Sequence, residues 1–344
     1  MRRIAMPSWL PVDPYILVLV STVGLAALLP ARGPAATGVG AASSIAIGLL
    51  FFLYGARLST REAVKGLAHW RLHLTVVLST FLLFPLLGLA ARGLVPWVLT
   101  PQLYTGLLYL CVLPSTIQSS IAFTSIAKGN VSAAICAGTY SSLIGMVLTP
   151  LLAGALLHSS GGFSAGGLLD ICRQLLLPFV AGQLLQRWIG AFITRHKKVL
   201  GLVDRGSILL VVYTAFSEGM VRGIWHQVTA VRLLALLGVE AVLLAVLLTV
   251  TSIAARRMGF GRQDRVAIVF CGSKKSLANG LPMASVLFGG QAGLMILPLM
   301  LFHQMQLMVC AVIAKRWSHQ AAAQATADGP PAPVGAGPTA PLNA

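Results

Sequence analysis

Two adjacent lysines, Lys274 and Lys275, interrupt a run that is otherwise apolar enough to lie in lipid. They belong to Gly272-Ser273-Lys274-Lys275-Ser276, which Asn279-Gly280 and Pro282 follow. A second polar run, Pro114-Ser115-Thr116-Ile117-Gln118-Ser119-Ser120, interrupts another apolar stretch and leads to Thr124 and Ser125. A charged side chain at a bilayer centre costs about 2.5 kcal/mol or more, so it marks function by default. An ammonium fixed there attracts a carboxylate or sulfonate, as half-helix N-termini do. The first run offers neutral donors and acceptors, suited to a substrate or a weakly held cation. Pro114 also removes a backbone donor and frees carbonyls about four residues back. Such irregular backbone survives in a membrane only beside a polar cavity or inside protein.

Each run has a plainer reading. Pro114 could mark a kink whose hydroxyls bond their own helix, but the polar side chains from Ser115 to Ser125 exceed what one backbone satisfies. The lysines could be interfacial if their helix began later, but that strands Val266-Ala267-Ile268-Val269-Phe270-Cys271 as an apolar run without a place. In a span over 266–288 they lie roughly 13–15 Å in, near the midplane. Adjacent helical residues diverge by about 100°, so at most one faces a given point directly. A buried ammonium needs a partner, and Glu218 and Glu240 are the acids in apolar surroundings. Either is a possible charge partner for Lys274.

The elements that must position these residues are membrane helices. Of 344 residues, 57% are hydrophobic and 10% charged, with mean hydropathy +0.85; a soluble domain carries about 25% charged residues. The apolar runs are too continuous for membrane strands, which alternate with period two. The net charge of +17 comes without a nucleic-acid recognition element, and loop cations that set membrane topology account for it. No nucleic-acid partner is expected; the lipid bilayer is. Cys111, Cys136, Cys172, Cys271 and Cys310 lie in or beside apolar segments without a CxxC pair, so they read as small packing residues and no metal is expected. Met1-Arg2-Arg3 leads into an apolar run without a small-residue cleavage site, which fits a first transmembrane helix.

At about 20 apolar residues per crossing, ten spans are predicted, at 14–31, 38–56, 72–91, 102–127, 131–157, 168–187, 206–221, 232–254, 266–288 and 292–314. Both polar runs fall inside spans, the fourth and the ninth. With the N-terminus inside, Arg32, Arg92, Arg173, Arg222 and Arg232 face outward, Lys274 and Lys275 lie within the membrane, and every other cation faces the cytoplasm. That asymmetry predicts both termini in the cytoplasm and a multi-pass protein of the plasma membrane, the inner membrane in a bacterium. Ten spans divide into repeats over 1–160 and 161–318, and an odd number per half inverts the second. The fourth and ninth helices then run antiparallel, and their interrupted centres, marked by Pro114, Gly272 and Pro282, cross near the midplane. From 319 to 344 the chain turns to Ala, Pro and Gly and reads as a disordered tail.

Two of these elements carry a resemblance. Ala127-Lys128-Gly129-Asn130 is similar to an A-[RK]-G-N element of the bile acid:sodium symporter superfamily, which includes solute carrier family 10. Cys271-Gly272-Ser273-Lys274-Lys275-Ser276-Leu277-Ala278 resembles the C-G-S-x-K-S-L-A of its SBF-like branch, which holds solute carrier family 10 member 7 and bacterial homologues. The resemblance covers about residues 10–317. It implies ten helices in inverted five-helix repeats, and a panel domain moving against a core domain that contains the crossed helices. It also implies a site lined by Gln118, Ser119, Ser120, Thr124, Ser273, Ser276 and Asn279, to which the reading of the residues adds Lys274. The sodium-coupled relatives carry an acid where Phe270 stands, Gln where Lys274 stands, and a Ser-Asn pair where Ser120-Ile121 stands. A cation thus replaces a sodium-ligand position, which argues against two-sodium coupling.

The function expected from all this is secondary active transport of a small organic anion by alternating access. No cofactor is expected, and sodium or a proton is the candidate coupling ion. The reading from a different class is a non-transporting membrane regulator of ion homeostasis. An intramembrane enzyme is not expected, because HExxH, GxSG and paired intramembrane aspartates are all missing.

Overall fold

The computed structural model describes residues 14–57, 69–157, 165–223, 229–289 and 292–327, excepting the side chains of 14, 16, 165–172 and 324–327. Cys172, the loop cations Arg2, Arg3, Arg61 and Lys65, and residues 328–344 of the expected tail lie outside that description. Every regular element among the described residues is helical. In chain order they are α1 (Pro14–Leu28), α2 (Pro34–Arg57), α3 (Trp70–Leu94), α4 (Pro101–Val112), α5 (Gln118–Ile126), α6 (Val131–Leu156), α7 (Ala165–Arg195), α8 (Lys197–Val221), α9 (Ala230–Arg257), α10 (Arg262–Gly272), α11 (Leu277–Phe288) and α12 (Ala292–Ala327).

Seven of these helices are long and apolar enough to cross a membrane, namely α2, α3, α6, α7, α8, α9 and α12. The other five are shorter. α4 and α5 have 12 and 9 residues, and α10 and α11 have 11 and 12. Each rises less than about 20 Å, against a hydrocarbon core of about 30 Å. Residues 113–117 and 273–276 link the members of each pair outside helical geometry.

Local chemistry sets the boundaries. Proline opens α1, α2 and α4, where its missing N–H costs nothing. Thr100, Asn130, Thr229 and Ser276 cap α4, α6, α9 and α11 by accepting a backbone N–H. Several expectations need correction. Pro282 lies inside α11 and does not end it; the second link closes at Ser276, whose side chain starts the new helix. The last helix continues past 319 to Ala327, so the tail does not begin where the apolar run ends. α8 begins at Lys197 and α7 runs on to Arg195, because helices extend beyond the apolar core into charged turns.

Two bundles result. α1, α2, α7 and α8 pack together, and the remaining helices form a second group that meets the first through α6, α11 and α12. In the first bundle α2 and α7 touch backbone to backbone. A Cβ on Gly55 would come within 2.0 Å of the Phe179 carbonyl oxygen, and one on Gly182 within 2.0 Å of that of Phe52. Small residues permit this approach between helices in lipid. Interhelical contacts sort the loops to two ends. Arg57 with Asp204, Arg71 with the Met258 carbonyl and Arg262 with the Trp317 carbonyl lie at ends of helices that the loop charges assign to one side. Arg232 donates to the Pro96 and Trp97 carbonyls at the other.

Candidate functional site

The two links lie against each other, and unpaired backbone explains why. α4 ends where Pro114 has no N–H to give, and Leu113 turns extended. The N–H of Ser115, which would have closed on the Cys111 carbonyl, goes instead to Ser141 Oγ at 2.9 Å. The Cys111 and Leu113 carbonyls are thereby free. Across from them α3 contains a π-turn over Ser79–Leu83, in which the Phe84 N–H bonds to Ser79 O. The next residue is Pro85, which has no N–H for the Thr80 carbonyl. Three orphaned carbonyls, from Thr80, Cys111 and Leu113, thus converge in one buried place.

Lys275 fills it. Its Nζ donates to the carbonyls of Thr80 at 2.8 Å, Cys111 at 2.8 Å and Leu113 at 2.7 Å, with the Phe84 ring 3.9 Å away. Its backbone is held as tightly. The Lys275 N–H donates to Gln306 Oε1 at 2.9 Å, and Gln306 Nε2 donates back to the Lys275 carbonyl at 2.9 Å. Gln306 also lies 2.8 Å from His303 Nδ1. Ser276 N–H bonds to the Pro114 carbonyl at 2.9 Å, which ties link to link.

The end of α10 is met differently. Its last three carbonyls accept from serines. Ser120 Oγ donates to Phe270 O at 3.0 Å, Ser115 Oγ to Cys271 O at 2.5 Å and Ser79 Oγ to Gly272 O at 2.7 Å. These satisfy helix-terminal acceptors that lipid cannot.

Lys274 turns away from its neighbour. Its side chain is fully buried, yet Nζ has one hydrogen bond, to Ser119 Oγ at 3.5 Å. The rest of its surroundings are aromatic, with Phe123 at 3.9 Å and Phe270 at 5.4 Å. Trp317 stacks on Phe270 at 5.4 Å. Such faces favour a cation but leave N–H groups unspent.

The expected site residues therefore separate. Ser119, Ser120 and Lys274 gather where α5 meets α10. Thr124 is buried on α5 with its hydroxyl lacking a partner among the described residues. Gln118 is exposed, Ser273 bonds its own helix at Val269 O, Ser276 is the α11 cap, and Asn279 lies buried one turn beyond. Neither carboxylate pairs with Lys274. Glu218 binds Arg222 at 2.7 Å one turn away, and Glu240 is buried on α9 with both oxygens lacking a partner among the described residues. Sequence reasoning missed Lys275 as the enclosed ammonium, Gln306 as its clamp and Phe123 as an aromatic face. Gln306 had a signal, because His303-Gln304-Met305-Gln306 is a polar run within an apolar helix. An apolar crevice of about 480 Å³ between α3, α4 and α9 is lined by no ionisable residue and is separate from this site.

The Ala127-Lys128-Gly129-Asn130 element buttresses the same corner. Lys128 takes a left-handed φ of 57°, ending α5, and a Cβ on Gly129 would come within 2.5 Å of Val266. Asn130 caps α6 while its Nδ2 donates to Asp264 Oδ1 at 2.8 Å, in the first turn of α10. Cys111, Cys271 and Cys310 are buried and Cys136 half-buried, and none of the four is in a disulfide.

Known proteins are similar to this chain in sequence over most of its length. Residues 13–319 match the profile of the SBF-like CPA transporter family. An uncharacterised protein of Pseudomonas aeruginosa is 54% identical over 94% of this chain and 98% of its own length. YfeH of Escherichia coli is 52% identical over 90% of this chain and 93% of its own length. The sodium/bile acid cotransporter 7 of Mus musculus is 30% identical over 88% and 92%. The chain belongs to the SBF-like CPA transporter family, within the bile acid:sodium symporter superfamily.

Proposed function

We propose that this transporter-family protein is a secondary active transporter of a small organic anion that works without obligatory sodium. α4 with α5, and α10 with α11, act as two interrupted crossings, which with α1 and the seven long helices make ten. The halves 1–160 and 161–318 are inverted repeats, with both termini in the cytoplasm of an inner-membrane protein. The loop charges support that orientation. The two bundles supply the parts for alternating access, in which α1, α2, α7 and α8 move against the group that holds the links. The name of the mouse relative, a sodium/bile acid cotransporter, supports an organic anion as substrate.

The observation that carries the reading is Lys274. Among the described residues it is a buried ammonium with one 3.5 Å hydrogen bond, two phenyl faces and no carboxylate in contact. A charge so poorly compensated in lipid is completed by an anion. Binding one there gives charge-assisted hydrogen bonds that neither Ser119 nor a ring supplies. The test is uptake of labelled carboxylates and sulfonates, taurocholate first, by full-length protein in liposomes. Lys274→Gln should reduce uptake at least about tenfold, the loss of roughly one charge-assisted bond, and choline in place of sodium should leave it unchanged. Normal transport of every accepted anion by Lys274→Gln would sink the reading, as would a strict sodium requirement.

A further inference from the structure

We infer that the Thr80, Cys111 and Leu113 carbonyls form a latent site for a bare monovalent cation, which the chain occupies with its own Lys275 ammonium. Three acceptors surround Nζ at 2.7–2.8 Å. A neutral amine has two N–H groups and would turn its lone pair on the third carbonyl oxygen, so the geometry requires all three donors of –NH₃⁺. The oxygens are those a dehydrated alkali cation would use. They are backbone dipoles left over by Pro114 and by the π-turn before Pro85, and two of them stand at the negative end of α4. The Phe84 face at 3.9 Å adds the attraction that an aromatic ring offers any cation. Among the described residues no carboxylate contacts the ammonium, so it alone supplies the charge that the oxygens face.

A dissociable ion in this place would be a coupling ion, because its gradient could drive a conformational change. A tethered ammonium cannot leave. The site is then filled in every turnover, and the Gln306 clamp on the Lys275 backbone holds the filling in register. This inference does not depend on the anion reading of Lys274, and its test uses no transport substrate.

Deleting Cγ to Nζ should empty the site and leave room for an ion with water. Full-length Lys275→Ala, purified in detergent, should unfold well below wild type in N-methylglucamine chloride. Sodium or potassium chloride at equal ionic strength should restore part of that loss in a saturable, concentration-dependent way, while the wild-type midpoint stays the same in all three salts. Lys275→Gln, which keeps a polar oxygen in the site, provides a second variant with the same readout. Folding of either variant only when an alkali cation is present also supports the site. A midpoint of the variants indifferent to sodium and potassium, failure of both to fold in those salts, or alkali-cation stabilisation of wild type equal to that of the variants would overturn it.

Discussion

The ends of α4 and α10 face the same problem and solve it with opposite chemistry. Each helix stops inside the protein and leaves its last carbonyls without donors. At α10 three serines from three different elements supply neutral hydroxyls, one apiece. At α4 one lysine supplies three bonds from a single charged atom and recruits a carbonyl from α3 as well. Hydroxyls satisfy acceptors without committing charge, so a neutral cap loses little when one member goes. A central cation concentrates most of the cap in one side chain, with the Thr149 hydroxyl left to take the Val112 carbonyl at 2.9 Å. The α10 end is a distributed splice between elements, and the α4 end is a keystone. Lys274, one residue away and nearly without polar partners, shows that position in the sequence does not make a lysine structural; the waiting carbonyls do.

Replacing the keystone should give the largest effect. Lys275→Met keeps the length of the side chain but strands three buried carbonyls, each costing about 1–3 kcal/mol. Its unfolding free energy in detergent should fall by roughly 3 kcal/mol or more, and by more than that of Lys274→Met, which removes one 3.5 Å hydrogen bond from a hydroxyl that keeps Thr116. Equal losses in the two variants would erase the distinction between the neighbouring lysines.

Gln306→Leu should come next. It removes both Gln306 bonds to the Lys275 backbone while leaving the ammonium its carbonyls, and strands the buried Lys275 N–H with His303 Nδ1 at 3.4 Å still beside the carbonyl, at a cost of about 2 kcal/mol. Hydrogen exchange should rise over residues 273–276 in this variant and remain unchanged at the end of α6. A thermal midpoint equal to wild type would mean that the carbonyls alone fix Lys275.

The neutral cap sets the scale below these. Ser115→Ala removes one hydroxyl from the α10 end and should cost about 1 kcal/mol, the usual range for one hydrogen bond in a membrane bundle. Combined with Ser120→Ala it should cost close to the sum, since the two hydroxyls serve different carbonyls. A loss as large as that of Lys275→Met would show that the two ends are equally concentrated.

Much of this arrangement was legible in the chain. Pro114 and Gly272 announce where helices stop, and the loop charges sort the ends, because backbone chemistry and lipid solvation act locally. The Asn130 cap follows from its position before an apolar run. What resisted reading depends on which elements meet. Lys274 and Lys275 were separable only once 273–276 was known to leave helical geometry, since a helix would have placed them about 100° apart on one wheel. Pro85 was visible, but its orphaned Thr80 carbonyl matters only because α3 packs against that link. The Glu218–Arg222 pair was readable from its i,i+4 spacing. An acid in an apolar helix nonetheless reads as the partner of a distant buried cation, which is how Glu218 stands beside Glu240 as a candidate for Lys274.

That mistaken partnership supplies the smallest and most discriminating test. If either lysine relied on a buried carboxylate, Glu240 would be the one left, and Glu240→Gln would break a buried ion pair at a cost of about 3–5 kcal/mol. Among the described residues Glu240 has no partner at either oxygen, and Lys275 has three carbonyls instead. Glu240→Gln, nearly the same shape and without charge, should therefore cost well under the roughly 3 kcal/mol at which the loss of a buried ion pair begins. A double-mutant cycle with Lys275→Met carries the point further. A coupling energy near zero means that the lysine is neutralised by backbone dipoles alone, as the keystone at α4 requires. A coupling above about 1 kcal/mol would mean that the carboxyl and the ammonium sense each other, and the α4 end would then be an ion pair in which the carbonyls merely assist.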